Sequence, residues 1–390
     1  MKRRTIIFCC NSLWGLLNFR GRIIEALVRD GYRVVLVAAA DEPVERVHAL
    51  GAEFVEWKLS PRSLNPLNEV KAKFALLQIF RRLSPDLVFN FTIKSVIYGT
   101  IAAKLAGARS ISVITGLGYM FLEENLRSAV GKLLYRSTLR NAREVWFLNK
   151  EDAAYFKRAD LAPGIKVRIL PGEGVDLDRF AVKPLPPMEH GPSFLMIARL
   201  LKDKGLYEFI EAARIVKSKY PRAVFRLLGP TYSANAASVT EAEMDELKRS
   251  GTIEYLGSVD DVRPAIEQAH CLVLPSYREG MPRVLMEGAA MGRPAVATNV
   301  PGCRDVVQDD RTGLLCAPQD AQSLADALIK MIELPAEDWA AMAAGARGVA
   351  EAEFDDRKIM ELYRDAVTSA LSGEAPVSTL PAADDLPPAR

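Results

Sequence analysis

Two series of short apolar runs, each alternating with helix-forming stretches, restrict what this chain can fold into more than any other feature. The first series is TIIFCC, RVVLVAA, DLVFNF, RSISVI, EVWFLN and VRIL, and the second begins at Ser193 with SFLMIA, AVFRLL, TIEYLG, CLVLPS and PAVAT. Runs that are apolar on both faces and separated by helices require a parallel sheet covered on both sides. Two such series predict two doubly wound α/β domains. A length of 390 residues suits that number, at about 100–200 residues per domain.

Between the series, AVKPLPPMEHGP carries four prolines and reads as a linker. The expected organisation is a first domain over 1–180, a linker over 181–192 and a second domain over 193–352. A last helix over 353–371, with apolar Phe354, Ile359, Leu362, Tyr363 and Val367, is expected to pack back on the first domain. The Pro-, Ala- and acid-rich segment 372–390 lacks apolar periodicity and is expected to be disordered.

Charged residues make up 26% and hydrophobic residues 49%, which excludes fibrous and disordered classes. The net charge of +2 conceals an asymmetry: residues 1–180 hold 28 Lys and Arg against 18 Asp and Glu, and the remainder 23 against 31. A basic first half points to an anionic surface or partner. Cys9, Cys10, Cys271, Cys303 and Cys316 are too few and too irregularly spaced for a disulfide framework or zinc cluster, which fits a reducing cytosol. The start MKRRTIIFCCNSLWGLL imitates a signal peptide, but Asn11 and Asn18-Phe19-Arg20 stand where small residues would precede cleavage, so it reads as a buried strand. No apolar run approaches the roughly 18–20 residues of a membrane span, so membrane contact would be from one side.

The densest chemical signal is PSYREGMPRVLMEGAAMGRPAVAT, running from a strand end at Pro275 through a helix to the next strand. It sets Glu279 in the loop before the helix, where free N–H groups and the dipole gather. Glu287 stands farther along that helix, among Val284, Leu285, Ala289 and Ala290. One carboxylate could hold a sugar and the other a ribose diol. In IARLLKDKGLYEF, Arg199 and Lys204 flank a strand-to-helix loop closed by Gly205, and cations at the carboxyl end of a parallel strand are placed for a diphosphate.

Together these segments resemble the family 4 glycosyltransferases, retaining enzymes of the GT-B fold with two Rossmann-like domains facing across a cleft. The matching residues are Glu279 and Glu287 of an E-x7-E motif, Arg199 and Lys204 of a phosphate loop, and Gly174-Val175-Asp176, where Glu173 replaces the family's usual Asn. NSLWGLLNFR, NFTIKSVIYGTIAAKLAG and SVITGLGYMF further resemble enzymes that extend undecaprenyl-diphosphate-linked glycans, N-acetylgalactosaminyltransferases among them. Thr115-Gly116-Leu117-Gly118 stands where many relatives carry a His-Gly pair, and none of His48, His190 and His270 is a convincing substitute.

The resemblance implies catalytic roles for Arg199, Lys204 and Glu279. It implies donor contacts from Gly15, Thr115, Gly116, Val259, Gly280, Met281, Pro282, Leu285 and Glu287, with Gly15 letting the first loop approach the donor phosphates. Acceptor contacts fall to Asn18, Arg20, Lys94 and Tyr119. The implied reaction is metal-independent and needs no cofactor: an N-acetylhexosamine such as GalNAc passes from a UDP-sugar to a lipid-linked glycan acceptor, at the inner face of the plasma membrane. A UDP-sugar 2-epimerase shares the fold and stands as the alternative, with a non-catalytic nucleotide-sugar-binding protein as a third reading.

Other matches fail. Phe121 occupies the third glycine position of a dinucleotide fingerprint. Asp176-Leu177-Asp178 has a metal-binding spacing but falls inside the Gly-Val-Asp segment. Nothing indicates nucleic-acid binding, and the sequence does not set an oligomeric state. On a helical wheel of 123–143, Lys132, Arg136, Arg140 and Arg143 form one stripe with Leu126, Val130, Leu133 and Leu134 beside it, and KAKFALLQIFRRL at 71–83 could extend the patch. Such a helix either docks on an anionic bilayer surface or is a core helix with a charged outer face.

Overall fold

A computed structural model describes residues 3–59, 66–117, 126–231 and 238–372. Among them the strands form two wholly parallel sheets. The first contains β1 (Thr5–Cys9), β2 (Arg33–Ala38), β3 (Glu53–Glu56), β4 (Leu87–Phe91), β5 (Arg109–Ile114), β6 (Glu144–Phe147) and β7 (Lys166–Ile169), in the order β3-β2-β1-β4-β5-β6-β7. The second contains β8 (Ser193–Ile197), β9 (Val224–Leu228), β10 (Glu254–Tyr255), β11 (Cys271–Leu274), β12 (Ala295–Thr298) and β13 (Gly313–Cys316), in the order β10-β9-β8-β11-β12-β13. In each the direction of winding reverses beside the first strand, at β1/β4 and at β8/β11. Such switch points open a crevice beyond the carboxyl ends of the strands.

The chain divides into two compact units, residues 1–173 with 357–390 and residues 174–356. The first boundary therefore lies ahead of the expected one, and the Pro-rich segment belongs to the second unit. Val175, Leu177 and Phe180 sit in a core of that unit with Leu195, Leu272 and Phe354. Buried Arg293 spreads its guanidinium over the carbonyls of Lys183, Pro184, Glu267 and Ile266, at 2.6–3.1 Å. Prolines supply carbonyls without matching N–H groups, and the fork of an Arg satisfies several at once.

The helix Asp356–Ser372 packs on the first sheet. Tyr363 lies against Phe8, Phe89 and Trp146, at ring-centroid distances of 5.0–6.2 Å. Arg143 donates to the Ser369 carbonyl at 3.1 Å, and Arg109 to the Ala370 carbonyl, so cations meet the carbonyl end of that helix. Ser372, expected to open the disordered tail, still belongs to that helix, and the remainder of the expected tail, 373–390, lies outside the described residues. All five cysteines are buried thiols, and no described helix is long and apolar enough to cross a membrane.

Candidate active site

In the second unit β8 and β11 are neighbours, so the loops that leave their carboxyl ends lie side by side. The β8 loop carries Arg199, which is exposed, and a short 3-10 turn, Lys202–Lys204, closed by Gly205. The β11 loop carries Glu279 and leads into the helix Arg283–Ala290. Lys204 Nζ reaches Glu279 Oε1 at 2.5 Å, and both side chains are largely buried.

The β11 loop is clamped from three directions. Tyr277 N–H donates to the Asp203 carbonyl at 2.9 Å, and its hydroxyl donates to Glu208 Oε1 at 2.7 Å. A Cβ on Gly205, whose φ is +73°, would stand 2.1 Å from the Pro275 carbonyl oxygen, so only glycine fits that approach. A Cβ on Gly302 would stand 2.8 Å from the carbonyl oxygens of Glu279 and Gly280. Burial raises the Asp203 carboxyl above its ordinary value against the pull of Lys204. Burial also raises the nearby Cys303 thiol, which leaves it inert.

Glu287, on the helix, accepts from Arg283 Nε at 2.8 Å. Burial pushes its carboxyl above the usual range; Arg283 and Arg179 oppose that, and Asp261 adds to it. Arg263 holds the Asp261 carboxyl down to about 2. Gly280 and Met281 are half-buried in the β11 loop, whereas Val259 is exposed in the loop after β10. The side chain of Leu285 belongs to the core, at 1% exposure, and Pro282 is buried, so any contribution of Leu285 to a ligand would come from its backbone. Asp176 Oδ1 accepts from the N–H groups of Asp178 and Arg179, and Leu177 is buried, so Asp176 closes its own turn. No cluster of metal-ligating side chains occurs among the described residues.

In the first unit the expected residues scatter into different roles. Gly15 is not a loop glycine: it lies in the first turn of the helix Leu13–Arg29, with its N–H on Ser12 Oγ, and a Cβ there would meet only ordinary contacts. Asp41 occupies that helix end, accepting from Leu13 N–H at 2.7 Å and Trp14 N–H at 3.1 Å. The place where a phosphate would bind already holds a carboxylate. Arg20 is also not a surface contact. It is 3% exposed, paired with Glu173, and its guanidinium lies 3.8 Å from the centre of the Phe91 ring.

Lys94 is engaged with Glu69 at 2.8 Å. Asn18 donates to the Trp14 carbonyl. Thr115 and Gly116 follow β5 and are half-buried, with Gly116 at φ +144°, while Tyr119 lies outside the described residues. One residue at this edge had no sequence signal: Thr92, at the switch point, holds φ +70° despite its branched Cβ. Strain of that kind, about 1–3 kcal/mol, concentrates at ligand sites.

The basic stripe is also revised. The helix runs Leu126–Leu139, and Arg143 lies beyond it, turned toward Ser369. Arg136 pairs with Asp160 at 2.6 Å in an exposed contact, and Lys132 is half-buried beside the Tyr155 ring. Ser128, Gly131, Tyr135, Thr138 and Leu139 face inward. Val130, Leu133 and Leu134 are 50%, 68% and 38% exposed on the same side as Arg136 and Arg140. The helix therefore packs Tyr135 and Leu139 into the core and carries an apolar row as well as cations on its outer face.

Comparison with known proteins bears on the family and the fold. A family profile described as Glycosyl transferase 4-like matches residues 7–149, and one described as Glycosyl transferases group 1 matches residues 191–334. The chain is 28% identical over 335 residues to the N,N'-diacetylbacillosaminyl-diphospho-undecaprenol alpha-1,3-N-acetylgalactosaminyltransferase of Campylobacter jejuni, covering 82% of this chain and 86% of that one. It is 27% identical over 289 residues to the UDP-Gal:alpha-D-GlcNAc-diphosphoundecaprenol alpha-1,3-galactosyltransferase of Escherichia coli, covering 70% and 73%. Among solved structures, Anabaena HepE in complex with UDP and glucose superposes with a TM-score of 0.76 at 19% identity, covering 93% of this chain and 99% of that one.

The fold and the two profiles define a glycosyltransferase of the GT-B class. The chain belongs to the group 1, family 4-like glycosyltransferases, and the epimerase alternative falls away.

Proposed function

We propose that this enzyme transfers an N-acetylhexosamine, such as N-acetylgalactosamine, from a UDP-sugar to an undecaprenyl-diphosphate-linked saccharide with retention of configuration, in the building of a cell-surface glycan. The observation that carries the reading is the Lys204–Glu279 pair at the β8/β11 switch point, with Glu287 on the helix that follows. The Campylobacter and Escherichia relatives are by name transferases acting on undecaprenyl diphosphate saccharides, which supports the acceptor class.

In this reading the second unit holds the donor and the first presents the acceptor. The donor diphosphate takes over Lys204, with Arg199 beside it, and releases Glu279 to accept from sugar hydroxyls. Glu287 accepts from the ribose diol. The bond from the anomeric carbon to the diphosphate oxygen breaks with its electron pair leaving on UDP, where Lys204 stabilises the growing charge. The acceptor hydroxyl oxygen bonds to the same face of that carbon, and the departing phosphate oxygen takes its proton. No metal or protein nucleophile enters the scheme. Incubating the protein with a panel of UDP- and GDP-sugars and membranes bearing lipid-linked glycans, with and without EDTA, and weighing the product tests it. Interconversion of UDP-sugars without acceptor, or strict dependence on a divalent ion, would contradict it.

Glu287 yields a pH prediction. Burial raises its carboxyl, so acidification neutralises it earlier than an ordinary glutamate, and a neutral carboxyl is a weaker acceptor for two hydroxyls. The affinity for UDP in the wild type is expected to fall on acidification from a pH above the ordinary glutamate range. Calorimetry on Glu287→Gln should show weaker binding and lose that part of the pH dependence. An unchanged profile would remove Glu287 from the ribose.

For the membrane, we propose that the outward face of the helix Leu126–Leu139 docks on an anionic bilayer at the cytosolic surface. The row Val130, Leu133 and Leu134 would enter the interface beside Arg136 and Arg140, with roughly 1 kcal/mol per cation near the lipid. Exposed Leu67, Val70 and Phe74 on the helix Pro66–Leu83, and Ile101 and Leu105 on the helix Ile93–Leu105, lie on neighbouring helices and extend the face. Arg136→Glu with Arg140→Glu should abolish co-sedimentation with phosphatidylglycerol vesicles while leaving UDP binding intact. Undiminished vesicle binding would sink the docking face.

A further inference from the structure

We propose that the cavity at the carboxyl ends of β2 and β3 is a saccharide subsite in which the Glu69 carboxylate is the recognising group. The proposal rests on the reading of the first unit as the half that presents the acceptor, and it assigns the part of the acceptor that this cavity takes.

The cavity has a volume of about 740 Å³ and is lined by Ala39 beyond β2, Trp57 and Lys58 beyond β3, and Asn68, Glu69 and Lys71 in the first turns of the helix Pro66–Leu83. A cavity of that size falls within the range of small-ligand sites, and it lies beyond the carboxyl ends of β2 and β3, on the same side of the sheet as the β1/β4 switch point but to one side of it.

Glu69 is held from behind. Lys94 Nζ donates to Oε1 at 2.8 Å and the Tyr98 hydroxyl donates to Oε2, both from the helix Ile93–Leu105 that starts at strained Thr92. Partial burial works to raise this carboxyl, but the bonds from Lys94 and Tyr98 outweigh it, and the group is held below its ordinary value. An ionised carboxylate has about four lone-pair sites. Lys94 and Tyr98 use one on each oxygen, leaving one on each for donors in the cavity. Adjacent sugar hydroxyls, or a hydroxyl and an acetamido N–H, present two donors at that spacing.

The remaining lining complements such a ligand. Asn68 offers both a donor and an acceptor, and Lys58 and Lys71 are exposed donors for an acetamido carbonyl or a ring oxygen. Trp57 is fully buried with its Nε1 on the Ala72 carbonyl, so it forms the floor and offers no ring face for stacking. Recognition here is by hydrogen bonds. It also reassigns Lys94, whose ammonium is committed to Glu69, from an acceptor contact to a positioning residue.

The test uses the full-length protein and saturation-transfer NMR, with N,N'-diacetylchitobiose and cellobiose as saccharide probes and inorganic pyrophosphate as the rival, because Lys58 and Lys71 could also attract an anion. Chitobiose is expected to bind, and Glu69→Gln to weaken it about tenfold or more, the cost of losing a hydrogen-bond acceptor that carries charge. Lys94→Met should weaken it through the loosened carboxylate, and Asn68→Ala, an exposed change, should weaken it with no fold defect. In turnover, Glu69→Gln should raise KM for the lipid-linked acceptor and leave KM for the UDP-sugar unchanged. Urea unfolding monitored by the fluorescence of Trp14, Trp57 and Trp146, all in the first unit, serves as the check that each variant is folded; if Glu69→Gln fails that check, Asn68→Ala decides. Absence of a signal from either disaccharide, a signal indifferent to Glu69 and Asn68, or binding of pyrophosphate in place of saccharide through Lys58 and Lys71 would each overturn the subsite. A Glu69-dependent chitobiose signal without transfer to any lipid-linked acceptor would instead overturn the proposed acceptor class and leave the subsite standing.

Discussion

Replacing Lys204 with alanine is expected to lower kcat by about 10²–10³, the usual cost of removing one preorganised group that stabilises developing charge. Thermal stability should change far less, because Lys204 and Glu279 lie on loops beyond the strands and not in either core of the second unit. Arg199→Ala should act in the same direction and more weakly, since Arg199 is exposed and its charge is screened by solvent. The informative comparison is Lys204→Ala against Glu279→Gln. In the free protein each leaves the other's charge without its partner, so a role limited to the ion pair would make the two equivalent. The proposed roles separate them: loss of Lys204 should weaken UDP as well as the UDP-sugar, whereas loss of the Glu279 charge should act on the sugar-dependent part. Normal turnover in the Arg199→Ala, Lys204→Ala double variant would remove the donor site from the β8/β11 switch point.

The second large effect is one of stability. Arg20→Ala should destabilise the first unit by about 3–5 kcal/mol, the range for breaking a buried pair and leaving one charge behind. Arg20 and Glu173 have side-chain exposures of 4% and 8%, the Arg20 guanidinium also donates to the Gly15 carbonyl, and the Tyr363 hydroxyl completes the group from the last helix. Arg20→Met with Glu173→Gln removes both charges and nearly preserves volume, so it should recover much of the loss. Urea unfolding monitored by Trp fluorescence gives the readout. A loss under 1 kcal/mol in Arg20→Ala, or a double variant worse than either single one, would show that the pair does not hold this region.

These two predictions differ in how far the sequence alone could reach them. The placement of Lys204, Glu279 and Glu287 was legible because it is set locally: a strand end, a glycine-closed turn, and carboxylates placed in and just before one helix. The strands were legible for the same reason, since a run apolar on both faces fits only a covered parallel sheet. Arg20, Asp41 and Arg143 were not, because what decides their roles comes from far along the chain. Glu173 neutralises Arg20 from 153 positions away, and Ser369 takes Arg143 from 226. Asp41 occupies a helix end that begins 28 residues earlier. A wheel or a spacing rule treats such side chains as surface cations or open helix ends. The domain boundary moved for a related reason: prolines mark a break in secondary structure, yet Arg293 gathers the carbonyls that those prolines leave and binds the segment to the second unit.

The chain passes from the first unit to the second after Glu173 and returns after Asp356, and the two passages pair through Val175 and Asp355. This sets an order of events during synthesis. Every residue of the second unit leaves the ribosome before Arg357–Ser372, so that unit can close while the first still lacks the helix that covers Phe8, Phe89 and Trp146. The amino-terminal half therefore waits, with an aromatic surface uncovered, for the last stretch of translation. Premature termination just before residue 357 would spare the second unit and leave its companion as the aggregation-prone product.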